Sequence, residues 1–168
     1  YGIETNLAYA SAVLASPGFQ DGAMTTRCLN QFPFQPCTID VLSSGTQTTI
    51  QDYPGRRGYW DVGVPPSGPF DSLSFRLGNQ LLGNEMTAPG LEFMLQGPKL
   101  QFNVKTSVVL SGAEFYAELD GKPVNWNEVI TISSGQILAI TKVLDAGTRG
   151  YLLVKEGITC PSYLGSQA

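Results

Sequence analysis

The stretch that decides the fold is residues 91–157, LEFMLQGPKLQFNVKTSVVLSGAEFYAELDGKPVNWNEVITISSGQILAITKVLDAGTRGYLLVKEG. It contains short apolar or alternating runs that begin at Leu91, Lys99, Ser107, Glu114, Glu128, Gln136 and Gly150. Gly, Pro or Asp separates these runs at intervals of roughly seven to twelve residues, a spacing typical of antiparallel strands in a sandwich or a barrel. The sequence therefore predicts a mainly β fold, and the strand pattern alone leaves both architectures open.

Upstream of these runs, the pattern predicts a hairpin, a long loop and one helix. Residues 38–42 and 46–51 are β-branched segments separated by Ser-Ser-Gly, which favours two strands joined by a tight turn. Residues 53–70 have Pro or Gly at eight positions, too many for a regular element, and are predicted to be a loop. Asp71 is expected to cap a helix that runs to about Leu82, with Gly83 as its stop. Its apolar stripe is Leu73, Leu77 and Leu81.

The first 40 residues indicate a separate helical piece. Apolar spacing predicts a helix near residues 6–15, capped by Thr5 or Asn6 and stopped at Pro17, and a short helical turn at 25–29. Prolines stiffen the segment that follows. We therefore expect a fragment of another domain at 1–30, a linker at 31–40 and a second domain at 41–168.

Composition excludes several classes of function. The net charge of −4 provides no basic surface for nucleic acid, and no apolar run is long enough for a membrane helix. The chain has no histidine, so a Ser-His pair is excluded and acid–base chemistry falls to Asp, Glu, Tyr or Lys. The three cysteines lack zinc-site spacing, so no metal site is expected, and reduced thiols indicate a cytoplasmic protein. Nucleotide-binding glycine motifs and the serine-hydrolase elbow are also missing.

The predicted loop concentrates the groups that could carry chemistry. Glycines allow a backbone to approach a ligand, arginines bind carboxylates or developing anions, and Asp or Tyr can accept a proton. Such a set suits a small, polar, planar substrate. Structural roles compete with this interpretation: Arg56 or Arg57 could pair with Asp52 or Asp61, and Asp71 could serve only as a helix cap.

Two further features of the sequence have alternative interpretations. Tyr59 and Trp60 could stack on a planar ligand or pack the loop onto the barrel. Glu92 lies within an apolar strand and becomes a functional candidate if it is buried and paired.

The motifs at residues 48–56, 58–69 and 75–79 resemble the start of the carboxyltransferase domain of urea carboxylase. In looser form they resemble the families of allophanate hydrolase subunit 2 and of a 5-oxoprolinase subunit. Residues 2–7 are similar to the last helical segment of a biotin carboxylase domain. The order of the two segments is the discriminating feature, because free-standing members of those two families would lack the first.

The resemblance implies a cyclophilin-like β-barrel with one or two helices, preceded by a short helical fragment of a separate domain. It implies a biotin- and ATP-dependent ligase in which carboxybiotin gives its carboxyl group to urea, forming allophanate. ATP and Mg belong to a biotin carboxylase domain expected before Tyr1, and biotin to a carrier expected after Ala168. These domains and an allophanate hydrolase are the implied partners, and the isolated chain is expected to be inactive.

Motif position and loop chemistry together suggest the roles of the site residues. We expect Gln51, Tyr59 and Ser67 to position the substrate, Arg56 to stabilise negative charge, and Asp52 or Asp61 to act as the base. The alternatives are a 5-oxoprolinase-like component of an ATP-dependent amidohydrolase and a non-catalytic β-barrel that binds a partner.

Overall fold

The computed structural model describes residues 6–34 and 36–168, apart from the side chain of Ala8. The chain divides into two compact units, residues 1–38 and 39–168. The boundary between the units lies inside the segment that we expected to be a linker. Within the described ranges, no helix combines the length and apolar character needed to cross a bilayer.

The first unit contains short helices, namely α1 (Leu7–Ala15), α2 (Pro17–Gln20) and α3 (Thr26–Leu29). The two predicted helical segments are confirmed. Asn6 precedes α1 without a side-chain capping bond. The first helix ends at Ala15, before the predicted stop at Pro17, and Pro17 begins the separate short helix α2. Thr5 and most of the 2–7 motif lie outside the described residues.

The second unit is built from strands. They are β1 (Ile39–Ser43), β2 (Gln47–Gln51), β3 (Gly90–Met94), β4 (Lys99–Phe102), β5 (Thr106–Gly112), β6 (Phe115–Leu119), β7 (Lys122–Pro123), β8 (Val129–Ile132), β9 (Ile137–Val143) and β10 (Arg149–Val154). A 3-10 turn (Trp60–Val62) and helix α4 (Ser72–Leu81) lie between β2 and β3.

The strands form two antiparallel five-stranded sheets. Sheet A has the order β1-β4-β9-β6-β7 and sheet B the order β2-β3-β10-β5-β8. The main core joins buried side chains of both sheets, including Leu100 and Leu138 from sheet A and Phe93 and Leu152 from sheet B. The mainly β prediction is confirmed, and each of the seven apolar runs contains one strand.

A second, smaller core lies between sheet B and α4. It combines Tyr151 and Leu153 of β10 with Phe75 of the helix and Leu82, which follows it. Because successive side chains of a strand alternate between faces, Leu152 faces the inter-sheet core while its neighbours face α4. Sheet B is therefore covered on both faces where the helix lies.

The predicted hairpin at residues 38–51 is wrong. Both segments are strands, but β1 pairs with β4 of sheet A and β2 pairs with β3 of sheet B. The connection passes Gly45, which has φ +70° and whose Cβ, if present, would overlap the carbonyl of Gln96. The turn is thus packed against another chain segment, and this contact replaces direct pairing of the two strands.

The apolar stripe of α4 does not face the core. Leu73, Leu77 and Leu81 are 59%, 50% and 49% exposed, whereas Phe75 is fully buried. The buried face consists of Phe75, Gly78, Asn79 and Leu82, which have the i, i+3, i+4, i+7 spacing of one helix face. A Cβ on Gly78 would lie 2.7 Å from Leu153, so a glycine permits this close approach of helix and sheet.

The helix termini agree with the sequence analysis. Asp71 Oδ1 accepts hydrogen bonds from the N–H groups of Leu73 and Ser74, each at 3.1 Å. Gly83 has φ +66°, the left-handed conformation expected after a helix. The Ser74 hydroxyl also donates to Asp71 and lowers the pKa of that carboxyl group, with smaller contributions from the two N–H groups and an opposing effect of burial.

We expect Asp71→Ala to lower the free energy of unfolding by about 1 kcal/mol, the usual cost of losing an N-cap. The folded-state pKa lies below the unfolded one, so the ionised carboxylate stabilises fully above the unfolded pKa near 3.9. That contribution disappears as pH falls through the folded pKa. Denaturant titrations between pH 2 and 7 measure it. Asp71→Asn, which keeps a capping oxygen, should retain most of the stability at pH 7 and lose this pH dependence.

Candidate active site

The loop between β2 and α4 is folded back on itself. Gln51 Oε1 accepts the N–H of Gly68 at 2.9 Å, and the N–H of Arg56 donates to Ser67 Oγ at 2.8 Å. Gly55 makes this possible, because it has φ +79° and a Cβ there would overlap the carbonyl group of Ser67. The two ends of the loop therefore lie side by side at the edge of sheet B.

Asp52 forms the centre of a hydrogen-bonded group with the segment 166–168. Its Oδ1 accepts the hydroxyl of Ser166 at 2.6 Å, and its Oδ2 accepts the N–H of Gln167 at 2.9 Å. Ser166 is 1% exposed, and its hydroxyl oxygen lies 3.2 Å from that of Ser67. We call Asp52, Arg56, Ser67 and Ser166 the Asp52 cluster.

Arg56 contributes a partly desolvated cation to this cluster. Its Nη1 donates to the main-chain oxygen of Ala168 at 3.1 Å. Its Nε is buried and has no hydrogen-bond partner among the residues that the structure describes. An unpaired buried donor is costly, so this N–H is a destabilising feature that the contacts of the described residues do not offset.

An open concavity of about 460 Å³ lies beside the cluster. Asp52 and Gln167 form one side of it, and the remaining lining residues come from the segment after α4 and the end of β10: Gly83, Asn84, Glu85, Thr87, Ala88, Pro89, Lys155 and Glu156. Its size falls within the range of small-molecule sites. Of the predicted site residues, Asp52 is the one that lines it.

The structure unites part of the predicted set. Asp52, Arg56 and Ser67 share the cluster, and Gln51 joins it indirectly by holding Gly68. Tyr59 is half-buried and precedes the 3-10 turn. Asp61 lies within this turn, exposed, with no side-chain hydrogen bond or ion pair to any described residue.

Two structural alternatives raised by the sequence are not found. The ion pair recorded within the described ranges joins Arg149 to Glu92, so neither loop arginine pairs with Asp52 or Asp61 there. Trp60 is 72% exposed, so the packing alternative is not found for this residue, whereas Tyr59 is half-buried. The capping role that the sequence suggested for Asp71 is found, because its side chain caps α4.

Sheet B supports the second half of the loop through Glu92 and Tyr151. Glu92 is 5% exposed, its Oε2 accepts the N–H of Phe70 at 2.8 Å, and its Oε1 pairs with Arg149 at 2.9 Å. The Tyr151 hydroxyl donates to Glu92 at 3.0 Å and accepts the N–H of Asp71 at 2.7 Å. Burial raises the pKa of Tyr151 well above its ordinary value, with the nearby Glu92 charge adding to the shift. The hydroxyl therefore stays protonated.

Sequence reasoning missed Tyr151 and Ser166. Tyr151 lies in an apolar run of the kind that forms a protein core, so nothing in the sequence marked it as functional. No local pattern links Ser166 to Asp52, more than a hundred residues away. The sequence analysis did identify Glu92, as a candidate on the condition that it is buried and paired. No group of three or more His, Cys, Asp or Glu side chains that could hold a metal occurs in the described part of the chain.

The chain belongs to the family described as the carboxyltransferase domain, subdomain A and B, which it matches over residues 62–168. It is 44% identical over 168 residues to the urea amidolyase of Lachancea kluyveri, a match that covers 100% of this chain and 9% of that protein. It is 38% identical over 128 residues to a 5-oxoprolinase subunit of Haemophilus influenzae, and this match covers 76% of this chain and 41% of the relative.

A solved structure supports the same assignment. The crystal structure of the Kluyveromyces lactis urea carboxylase superposes with a TM-score of 0.88 at 44% identity, covering 99% of this chain and 15% of that one. The chain thus corresponds to a small part of much longer urea amidolyase and urea carboxylase enzymes. The family predicted from the motifs is confirmed.

Proposed function

We propose that this chain is part of a urea carboxylase and forms the first portion of its carboxyltransferase domain. In this proposal the intact enzyme is a biotin- and ATP-dependent ligase that transfers a carboxyl group to urea and produces allophanate. Residues 1–30 are the end of its biotin carboxylase domain, and 31–40 are the linker.

The extent of the sequence matches is the observation that carries the proposal. The match to a urea amidolyase runs through all of this chain, including the helical first unit, whereas the match to the 5-oxoprolinase relative extends over 76% of it. The order of a helical segment followed by the carboxyltransferase motifs is the arrangement expected at a urea carboxylase junction. This supports urea as the substrate over a cyclic amide.

The Asp52 cluster provides the groups that such a transfer requires. Biotin, charged elsewhere, supplies the carboxyl group when it is bound. We assign to the guanidinium of Arg56 the binding of the carboxyl oxygens and the stabilisation of negative charge, a role suited to a planar cation with several donors. Ser67 of the cluster positions the substrates, and we assign the same role to Gln51 and Tyr59, which lie outside the cluster.

A carboxylate base would remove the proton from the urea nitrogen as the new N–C bond forms and the bond between the carboxyl carbon and its donor breaks. Both Asp52 and Asp61 were candidates. The geometry supports Asp52, because it is joined to Ser67 through the hydroxyl of Ser166 and lines the concavity, while Asp61 has no contact with the cluster among the hydrogen bonds of the described residues. The two hydrogen-bond donors of Asp52, Ser166 and Gln167, fix the orientation of its carboxylate.

The remaining parts of the reaction belong outside this chain. A biotin carboxylase domain holds ATP and Mg, a carrier domain of the same protein holds biotin, and an allophanate hydrolase consumes the product. The protein acts in the cytoplasm, in keeping with its three free cysteines, two of them exposed. In this proposal the 168 residues depend on those domains for the carboxyl donor.

The test uses the full-length protein in which this chain lies. We expect ATP turnover that depends on urea and disappears when avidin captures the biotin. Turnover that depends on 5-oxoproline and is insensitive to avidin would favour the 5-oxoprolinase alternative. Absence of both activities from protein shown to carry biotin would contradict the urea carboxylase proposal and leave a binding module.

A further inference from the structure

A row of polar side chains crosses sheet B on the face that packs against α4. Thr49 of β2 lies opposite Glu92 of β3, which lies opposite Tyr151 of β10, which lies opposite Ser111 of β5. Residues directly opposite in neighbouring strands project from the same face. We call these four residues the polar row.

The two central members of the polar row bind consecutive backbone N–H groups. Glu92 accepts the N–H of Phe70 at 2.8 Å, and Tyr151 accepts the N–H of Asp71 at 2.7 Å. Both N–H groups belong to the junction between the site loop and α4. The row therefore fixes the direction in which the chain leaves the loop.

The outer members hold the same segment on either side. At one end, Thr49 accepts a bond at 3.0 Å from the side chain of Gln51, whose oxygen binds the N–H of Gly68. At the other end, the Ser111 hydroxyl donates to the carbonyl of Ser74 at 3.0 Å. The segment 68–74 is thus bound at four points by four adjacent strands.

Glu92 is the most sensitive point of the polar row. It is buried, and three donors satisfy its carboxylate: Phe70, Tyr151 and Arg149. The Arg149 guanidinium also lies over the ring of Phe70, 5.3 Å from the ring centre. Loss of the Glu92 carboxylate would leave these three donors without their shared acceptor, which is far more costly than loss of an exposed bond.

We propose that Glu92 and Tyr151 are positioning residues for carboxyl transfer, which hold residues 70–71 so that Ser67 and Arg56 keep their places beside Asp52. This inference rests on the proposed function. Neither side chain belongs to the Asp52 cluster, and both act on it through the backbone of the loop. A displacement of reacting groups by about 1 Å can lower a rate about 100-fold.

The test compares two Tyr→Phe variants of the full-length enzyme. Tyr151→Phe removes the hydroxyl that joins Asp71 to Glu92 and keeps the ring that packs on Phe75. Tyr116→Phe is the matched control, because it removes an exposed tyrosine–glutamate hydrogen bond, to Glu118, on sheet A. We expect Tyr151→Phe to lower kcat for urea about tenfold with less than about threefold change in KM, since positioning affects the transition state more than ground-state binding.

The charging half-reaction, bicarbonate-dependent ATP turnover without urea, separates positioning from general damage. It should be unchanged in Tyr151→Phe, and both activities should be unchanged in Tyr116→Phe. Equal losses in both half-reactions, or an unchanged kcat, would overturn the positioning role. An inactive wild-type enzyme would instead refute the proposed function.

A second variant and a second measurement guard against failure of one variant to fold. Glu92→Gln keeps the side-chain volume and should lower kcat in the same direction. In the 168-residue chain, amide hydrogen exchange at Phe70 and Asp71 should accelerate at least about tenfold in Tyr151→Phe relative to Tyr116→Phe, because opening of this segment becomes easier. Unchanged exchange rates at both amides would contradict the proposal that Tyr151 fixes the position of residues 70–71.

Discussion

Under the proposed function, carboxyl transfer to urea should fall about 100-fold when Arg56 is replaced by alanine in the full-length enzyme, the scale expected for loss of one charge-stabilising group. Arg56 is the cation of the Asp52 cluster, and its Nε lies buried without a partner among the described residues. The measurement is the steady-state rate of urea-dependent ATP turnover. The bicarbonate-dependent charging reaction should remain at the wild-type rate, because the proposed function assigns it to another domain.

The neighbouring arginine provides the matched control. Arg57 is exposed and makes no side-chain hydrogen bond or ion pair to the described residues, so Arg57→Ala should change the rate by no more than about twofold. Arg56→Lys should recover only part of the activity, since lysine keeps the charge and loses the planar set of donors. If Arg56→Ala lowers both half-reactions equally, the residue has a structural role instead.

Gly55→Ala is expected to be the most damaging single substitution in the loop. The residue has φ +79°, and a methyl group would overlap the carbonyl group of Ser67, which belongs to the opposite end of the loop. Strain of the left-handed backbone and the steric overlap together predict a loss of about 3 kcal/mol or more in the free energy of unfolding. Chemical denaturation of the 168-residue chain measures the loss.

Comparison with Gly58→Ala separates the steric overlap at Gly55 from the cost of the left-handed backbone. Gly58 has φ +84°, but no atom lies within 4 Å of the position that its Cβ would take. This variant should lower the free energy of unfolding by about 1–2 kcal/mol, the effect of the left-handed conformation alone. Equal destabilisation by the two substitutions would mean that the loop moves aside to accept the methyl group and that Gly55 does not fix its fold.

The class of fold could be predicted from the sequence because each strand carries its own local signal. The runs from Leu91 onward alternate or cluster apolar residues between turn-forming ones, and each became a strand. The signal for the N-cap of α4 was also local, since Asp71 accepts hydrogen bonds from N–H groups two and three residues later in the chain. The partners of strands β1 and β2 were not local, and the hairpin prediction failed for that reason.

The same distinction explains the error on α4. Two sets of residues on α4 have helical spacing: the leucines at 73, 77 and 81, and the buried residues at 75, 78, 79 and 82. Spacing alone does not show which of the two faces the core. Packing against sheet B determines which face is buried, because Phe75 and the backbone at Gly78 contact Tyr151 and Leu153 of that sheet. A side chain at 78 would have prevented this approach.

By itself, the sequence determined the mainly β class, the position of the long loop, the capped helix and kinship with carboxyltransferase domains. Each of these features depends on residues that are close together in the sequence or on the residue order within a motif. Only the tertiary structure decided which loop residues meet, because the partners of Asp52 and Glu92 come from strands and turns tens of residues away. Burial supplies the reason: a carboxylate withdrawn from water must find its donors wherever the fold brings them.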